Sequence, residues 1–62
     1  MNAKFQKAEA AARAEGWYLG VALEMAISEA SRYEKPIQNT DAYKEREDVR
    51  EWFAKYFPEV LS

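Results

Sequence analysis

The sequence predicts an all-α fold: a helical hairpin with a long first helix, about residues 3–34, and a shorter second helix, about residues 41–57. Three observations lead to it. Small and apolar residues recur every three or four positions through the first half of the chain, prolines follow both predicted helices, and no segment alternates like a strand. The recurring residues are Phe5, Ala8, Ala12, Gly16, Leu19, Leu23, Ala26, Ala30 and Tyr33.

The first helix is predicted to begin at Ala3, with Asn2 as its N-cap, and to end at Glu34 or Lys35. Its N-terminal part is rich in Ala, Glu, Lys and Arg, which are among the strongest helix formers. An Asn side chain accepts a hydrogen bond from a free backbone N–H at a helix start. Pro36 sets the other end, because proline disfavours helical geometry in the residue before it.

The second helix follows a short connection over residues 35–40, a length typical of a turn between antiparallel helices. Asn39 or Thr40 is expected to cap it. Asp41 then lies in the first turn, where the helix dipole favours a negative charge. Pro58 ends the helix, which places its last residue near position 57.

Gly16 and Gly20 leave two interpretations of the first helix open. The preferred one keeps both inside a single long helix, because the apolar spacing continues through Gly16 and no Pro, Asn, Asp or Ser accompanies either glycine. The alternative is a three-helix bundle with a break at Gly16, in which Trp17 begins a new helix.

Close helix packing is predicted from small residues spaced by four positions, as at Ala12, Gly16 and Gly20. A second helix of about 25 Å cannot cover a first helix of about 48 Å. The sequence therefore predicts that two hairpins pair into a homodimeric four-helix assembly. The residues assigned to this packing are Ala12, Gly16, Leu19, Gly20, Leu23 and Ile27.

Composition narrows the possible functions of what is expected to be a single domain, residues 1–62. The chain has neither Cys nor His and a net charge of −2. No phosphate-binding loop, nucleophile motif or zinc spacing is present. We therefore expect no catalytic residues, no metal and no cofactor. The apolar runs are too short to span a bilayer, and no secretory signal is evident, so a cytoplasmic protein is expected.

Aromatic residues near the C-terminus are the strongest candidates for a binding surface. Trp52, Phe53, Tyr56 and Phe57 fall within six positions, and Trp17 is available on the first helix. Aromatic side chains dominate both small cores and binding hot spots. These four cover more than half of a helix circumference and cannot all face one neighbour. One or two of them are therefore expected in an interface.

These observations favour a non-enzymatic protein-interaction module, a small regulator or inhibitor that occupies the surface of a partner. The alternative is a nucleic-acid-associated regulator, since Arg50 and Lys55 lie beside the aromatic residues. It predicts that Arg46→Ala or Arg50→Ala abolishes binding. Glu51 and Glu59 lie there as well, and no segment is basic enough to bind a phosphate backbone by charge alone. Nucleic acid is therefore the less favoured partner.

In size, mild acidity, predicted helical content and absence of catalytic motifs, the chain resembles the small accessory proteins encoded in the early regions of lambdoid phages. Many proteins of that kind act by binding a host protein. The resemblance implies a cytoplasmic location and a host protein as the partner.

Overall fold

The fold consists of four α-helices joined by short connections. The structure is a computed structural model that describes residues 3–61, and no strand occurs among them. The α-helices are α1 (Gln6–Arg13), α2 (Trp17–Tyr33), α3 (Asp41–Glu45) and α4 (Glu47–Tyr56), with 3₁₀ helices at Ala3–Phe5, Ile37–Asn39 and Pro58–Leu61. The predicted all-α class is confirmed. The predicted cap Asn2 lies outside the described residues.

The predicted single helix over residues 3–34 is wrong, because the chain turns at Gly16. This glycine has φ 93° and ψ −177°, a backbone conformation that is accessible essentially only to glycine. The last turn of α1 closes with N–H groups of Ala14 and Glu15 bonded to carbonyl oxygens of α1, each at 3.1 Å. The break at Gly16 in the alternative prediction is therefore correct, and α2 begins at Trp17.

The turn folds α1 back along α2, and the two helices approach closely at Gly20. A Cβ atom on Gly20 would lie 2.7 Å from the carbonyl oxygen of Ala12, so no side chain fits there. At the far end of α1, Phe5 lines the same cavity as Ala30 of α2. The two helices therefore run antiparallel, and their small residues pack within one chain.

The end of α2 lies within one residue of its predicted position. Glu34 adopts a left-handed conformation with φ 51°, and the N–H of Lys35 bonds to the carbonyl oxygen of Ala30 at 3.0 Å. Thr40 then caps α3: its hydroxyl accepts from the N–H of Tyr43 at 3.4 Å and donates to the carbonyl oxygen of Ile37 at 2.6 Å. Its side chain is buried, so these bonds satisfy a polar group inside the core.

The predicted second helix, residues 41–57, is also divided in two. Arg46 has extended backbone, φ −122° and ψ 117°, between α3 and α4. The bend turns α4 so that Val49, Trp52 and Phe53 face the core. α4 ends at Tyr56, and Pro58 begins the 3₁₀ helix that follows.

The hydrophobic core closes within one chain. Its largest fully buried apolar side chains are Phe53, Leu23, Ile27, Ile37 and Val49. The accessible surface of 4122 Å² equals the value of about 4,100 Å² expected for a compact chain of 7.2 kDa. The uncovered long helix from which a four-helix dimer was predicted therefore does not exist.

Candidate functional site

Most of the predicted aromatic binding surface belongs to the core. Trp52 is 5% exposed and Phe53 is fully buried, and their rings meet edge to face with centroids 5.1 Å apart. Phe57 is half-buried, with its ring centroid 5.3 Å from that of Trp52. Trp52 and Phe53 therefore cannot form a binding surface in this fold, because a partner would have to displace the core to reach them.

The two remaining predicted binding residues are exposed, on different helices. Tyr56 lies at the end of α4, with its ring 5.6 Å from Trp52 and 5.2 Å from the ammonium group of Lys55. Trp17 is the first residue of α2 and is 83% exposed. Trp17 lines a groove together with Tyr18, Val21 and Met25, and this grouping identifies the candidate site.

The candidate site is an apolar surface on the solvent side of α2. Among residues 3–61, five of the six exposed large hydrophobic side chains belong to this helix. We call this surface the outer face of α2 and define it by Trp17, Tyr18, Val21, Met25 and Tyr33. Trp17, Tyr18, Val21 and Met25 line one groove, and Tyr33 lies two turns beyond Met25, past Ser28, Glu29 and Arg32. Scattered exposed hydrophobic residues are normal on proteins, whereas a large exposed apolar patch makes a surface a candidate for an interaction.

The outer face exists because α2 is apolar on almost every side. From Trp17 to Ile27 the only charged residue is Glu24. Leu23 and Ile27 are fully buried against the rest of the chain, while Val21 and Met25 face solvent. A helix that is hydrophobic all round is normally buried on all sides, and this one is buried on only one.

Two shallow grooves run end to end along the outer face and meet at Met25. The first, about 220 Å³, is bounded by residues of α2 and by Arg46. The second, about 500 Å³, is bounded by the later turns of α2 and the start of α3. The first groove is lined by Trp17, Tyr18, Val21, Ala22, Met25 and Arg46. The second groove is lined by Met25, Ser28, Glu29, Arg32, Tyr33, Asp41 and Ala42.

Arg46 holds a fixed position over the first groove. Its guanidinium lies 4.5 Å from the centroid of the Tyr18 ring, within the range of a cation–π contact. Two hydrogen bonds to Asp48, at 3.1 and 2.5 Å, orient it. The hydrogen bonds from Arg46 lower the pKa of the Asp48 carboxyl group, and the same contact raises the pKa of Arg46. Arg46 therefore presents an oriented, permanently charged group beside an exposed aromatic ring.

Glu29 organises the wall of the second groove. Its carboxylate pairs with Lys35 and accepts a hydrogen bond from the N–H of Asp41 at 3.1 Å. The bond from Lys35, and after it the bond from Asp41, lowers the pKa of Glu29. This contact ties the last turns of α2 to the start of α3. Arg32, on the same side of α2, is exposed and makes no ion pair within the described part of the chain.

Of the residues predicted to pack helices against each other, the structure buries most and exposes one. Ala12, Gly20, Leu23 and Ile27 are buried and Leu19 is half-buried, all within the chain. Gly16 is exposed in the turn, where a Cβ atom would meet nothing within 4 Å. Gly16 therefore shapes the backbone and packs against no helix.

Sequence reasoning did not select Tyr18, Val21 or Met25 for the binding surface, and it named Arg46 only for the nucleic-acid alternative. The signal for three of them was present: the segment from Trp17 to Ile27 has too few polar positions to supply a solvated face. Arg46 carried no comparable signal, because its position over Tyr18 depends on the bend between α3 and α4.

Within residues 3–61 no three Asp, Glu, His or Cys side chains are grouped so that they could hold a metal ion. None of the helices in this range combines the length and hydropathy that crossing a membrane requires. Comparison of the chain with protein-family models, with curated proteins and with solved structures found no match.

Proposed function

We propose that this chain is a non-enzymatic protein-interaction module, a small regulator or inhibitor that acts by covering a surface of another protein. The observation that supports the proposal is the outer face of α2. Its three aromatic residues alone leave roughly 300–550 Å² of surface exposed, taking about 150–250 Å² per ring. Trp17 and Tyr18 share one groove with Val21 and Met25, and Tyr33 belongs to the second groove. Large exposed apolar patches are often functional.

The composition of the outer face suits protein binding. Trp, Tyr, Met and Arg are enriched in protein interfaces, and Trp, Tyr and Arg dominate their hot spots. Arg46 is already held over Tyr18 by Asp48, so little side-chain freedom is lost when a partner binds there. The first groove is lined by apolar side chains of α2 with Arg46 at its edge, a combination that suits an apolar side chain of a partner.

The nucleic-acid alternative has less support, because its candidate basic residues already have partners. Arg46 is bonded to Asp48. Arg50 donates two hydrogen bonds at 2.9 Å, to the carbonyl oxygens of Tyr43 and Lys44. A phosphate group would have to replace these contacts, which reduces what it gains from either arginine.

The same proposal includes the kind of partner and the cellular location. The resemblance to phage accessory proteins suggests a host protein in the cytoplasm. A homodimer also remains part of the proposal. It can no longer rest on an uncovered long helix, and the outer face of α2 is the surface that supports it.

Affinity capture with matched variants tests the proposal. Wild-type chain, Trp17→Ala and Tyr56→Ala are used as baits in a bacterial lysate, at low and high salt and with nuclease treatment. Tyr56 is the control because it is an exposed aromatic residue, 52% accessible, outside the outer face. We expect a protein that remains bound at high salt and after nuclease, that is lost with Trp17→Ala and that is kept with Tyr56→Ala.

Two results would contradict the proposal. Binding that Trp17→Ala leaves unchanged would remove the outer face from the interaction. Binding that disappears at high salt or after nuclease, and is weakened by Arg50→Ala, would favour the nucleic-acid alternative. Far-UV circular dichroism of each bait shows whether a loss of binding reflects a loss of fold.

A further inference from the structure

The 3₁₀ helix at Pro58–Leu61 rests on the fold through few contacts. Of its four residues only Val60 is buried, and Leu61 is half-buried. A hydrogen bond from Nε2 of Gln38 to the carbonyl oxygen of Leu61 fastens its last residue. A segment that buries little apolar surface opens at a lower free energy than the core does.

The same hydrogen bond leaves the other half of the Gln38 amide without a partner. Its Oε1 is buried and accepts no hydrogen bond from any residue in the range 3–61. The opposite orientation of the amide would place Oε1 against the carbonyl oxygen of Leu61, and two acceptors cannot share a hydrogen bond. Since a buried acceptor without a donor is unfavourable, the present contact uses Gln38 incompletely.

An apolar cavity of about 420 Å³ lies beside this segment. Gln38 lines it together with Phe5, Ala30, Val60 and Leu61. Phe5, Ala30 and Val60 belong to one cluster of buried residues. When the 3₁₀ helix moves aside, the space of Val60 joins this cavity and forms an apolar groove with the Gln38 amide in its wall. Charges of both signs also line the cavity, from Lys4, Glu34 and Lys35.

We infer that Pro58–Leu61 is a displaceable strap, and that an extended apolar segment of another protein takes its place. The strap itself shows what fits: a β-branched side chain in the site of Val60 and a backbone carbonyl on Nε2 of Gln38. An extended peptide offers a side-chain amide an N–H as well as a carbonyl, and the N–H satisfies Oε1. The strap offers Gln38 its carbonyl alone.

This site goes beyond the proposed function, because it shares no residue with the outer face of α2. Binding there is regulated by the chain itself, since a partner must compete with the strap. The partner's affinity is therefore reduced by the fraction of molecules in which the strap is closed.

Thiol labelling tests whether the strap opens, and the chain has no cysteine of its own. Val60→Cys is compared with Val49→Cys, the same change at a fully buried position of α4. We expect Val60→Cys to react about a hundredfold faster with a chromogenic disulfide reagent, at a rate nearly independent of low urea, because opening the strap exposes little surface. Equal rates with the same urea dependence would overturn the strap.

Hydrogen exchange gives the same information without a substitution. The N–H of Val60 is bonded to the carbonyl oxygen of Phe57 at 3.1 Å, and the N–H of Phe57 to that of Phe53 at 2.9 Å. We expect the Val60 amide to exchange through local opening and the Phe57 amide to exchange more slowly. Equal protection of the two amides would overturn the strap.

A peptide tests the occupant. The probe is an end-blocked hexapeptide of alternating threonine and valine, added at millimolar concentration to Val60→Cys. We expect labelling to become about tenfold faster, because the bound peptide holds the strap open. The same peptide with N-methylated valines cannot donate to Oε1 of Gln38 and should have no effect. Val49→Cys should respond to neither peptide, and an unchanged rate for Val60→Cys would overturn the inference.

Two further variants locate the peptide. Adding Gln38→Ala to Val60→Cys should speed labelling without peptide, because the bond to Leu61 is lost, and should abolish the response to peptide. A response that survives in Gln38→Ala would overturn the role of the amide. Adding Trp17→Ala should change neither rate. If it removed the peptide response, the peptide would bind the outer face of α2, which would overturn the inference and leave the proposed function standing.

Discussion

The indole nitrogen of Trp52 lies 2.8 Å from Oε2 of Glu15 and donates a hydrogen bond to it. The two residues are 37 positions apart, so this bond joins α4 to the turn between α1 and α2. Trp52 is almost completely buried and its N–H needs a partner inside the fold. Glu15 supplies it from an exposed position at the edge of the core.

Replacing Glu15 by alanine should therefore destabilise the fold. The change leaves a nearly buried N–H without its acceptor, and we expect the free energy of unfolding to fall by about 1–2 kcal/mol. Urea denaturation followed by far-UV circular dichroism measures the change. Glu15→Gln retains an acceptor oxygen and should lose less than half as much. If both variants were equally unstable, the hydrogen bond would not be the cause.

Gly16→Ala should also destabilise the chain. The backbone at Gly16, φ 93°, is strained for any residue with a Cβ atom, although there is space for one. We expect a loss of about 1–3 kcal/mol in the free energy of unfolding. A single helix through residue 16 predicts the opposite sign, because alanine is a better helix former than glycine. A rise in the melting temperature of Gly16→Ala would contradict the turn.

The hydroxyl of Thr40 should be more important than its methyl group. Thr40→Val keeps the shape of the side chain but removes the cap of α3 and a buried hydrogen bond to Ile37. We expect the variant to lose about 1–2 kcal/mol of unfolding free energy. Thr40→Ser keeps the hydroxyl and serves as the control. Thermal unfolding of the three proteins compares them, and a Thr40→Val protein as stable as Thr40→Ser would refute the capping role.

Acid should weaken the contacts of Glu29 and Asp48. Hydrogen bonds from Lys35 and Arg46 lower the pKa values of these carboxyl groups in the folded chain. A lowered pKa stabilises the fold at neutral pH. This stabilisation is fully present above the ordinary pKa values, about 3.9 for Asp and 4.3 for Glu, and is lost as the pH falls through the lowered values. Protonation then weakens the ties from α2 to α3 and from Arg46 to α4.

The pH dependence is measured as the melting temperature of wild-type chain and of a variant with both Glu29→Gln and Asp48→Asn. The variant should be less stable than wild type at about pH 7, and the difference should shrink as the pH falls through the lowered pKa values of the two carboxyl groups. On acidification the melting temperature of the variant should therefore fall less than that of wild type. An equal loss in both proteins would assign the acid sensitivity to other carboxyl groups.

Several parts of the fold followed from local sequence rules. The all-α class follows from spacing, the end of α2 from Pro36, and the start of α3 from the preference of Thr40 for a cap position. Each of these signals lies within a few residues of the feature it predicts. Local chemistry is sufficient in these places because tertiary contacts do not oppose it.

The preferred prediction missed the break at Gly16, and no prediction placed a break at Arg46, for different reasons. The apolar spacing continues through Gly16 because both α1 and α2 turn a face to the same core, so periodicity alone cannot distinguish one helix from two. Arg46 is neither Pro nor Gly. The backbone of Arg46 is extended, and the bend there lets α4 bury Val49 and Phe53 in the core. The need for this bend comes from the tertiary packing, and no local sequence signal encodes it.

The aromatic residues near the C-terminus were proposed as a binding surface because aromatic side chains dominate both small cores and binding hot spots, and their density in the sequence does not distinguish the two roles. In a chain this small, Trp52 and Phe53 are the largest side chains near the core and are used to fill it. The informative pattern was the shortage of polar residues in α2 from Trp17 onward. That pattern indicates a face left over after the core has closed.

The chain has two tryptophans, and they occupy opposite environments: Trp52 lies in the core and Trp17 lies on the outer face of α2. Their emission therefore reports two different events. In Trp17→Phe, the remaining indole is shielded from water and its spectrum should shift to longer wavelength only when the chain unfolds. The emission of Trp17, the difference between wild type and Trp17→Phe, should be quenched by iodide in the free chain and protected when another molecule covers the face. Wild type and Trp17→Phe, titrated side by side without any label, therefore separate unfolding from association.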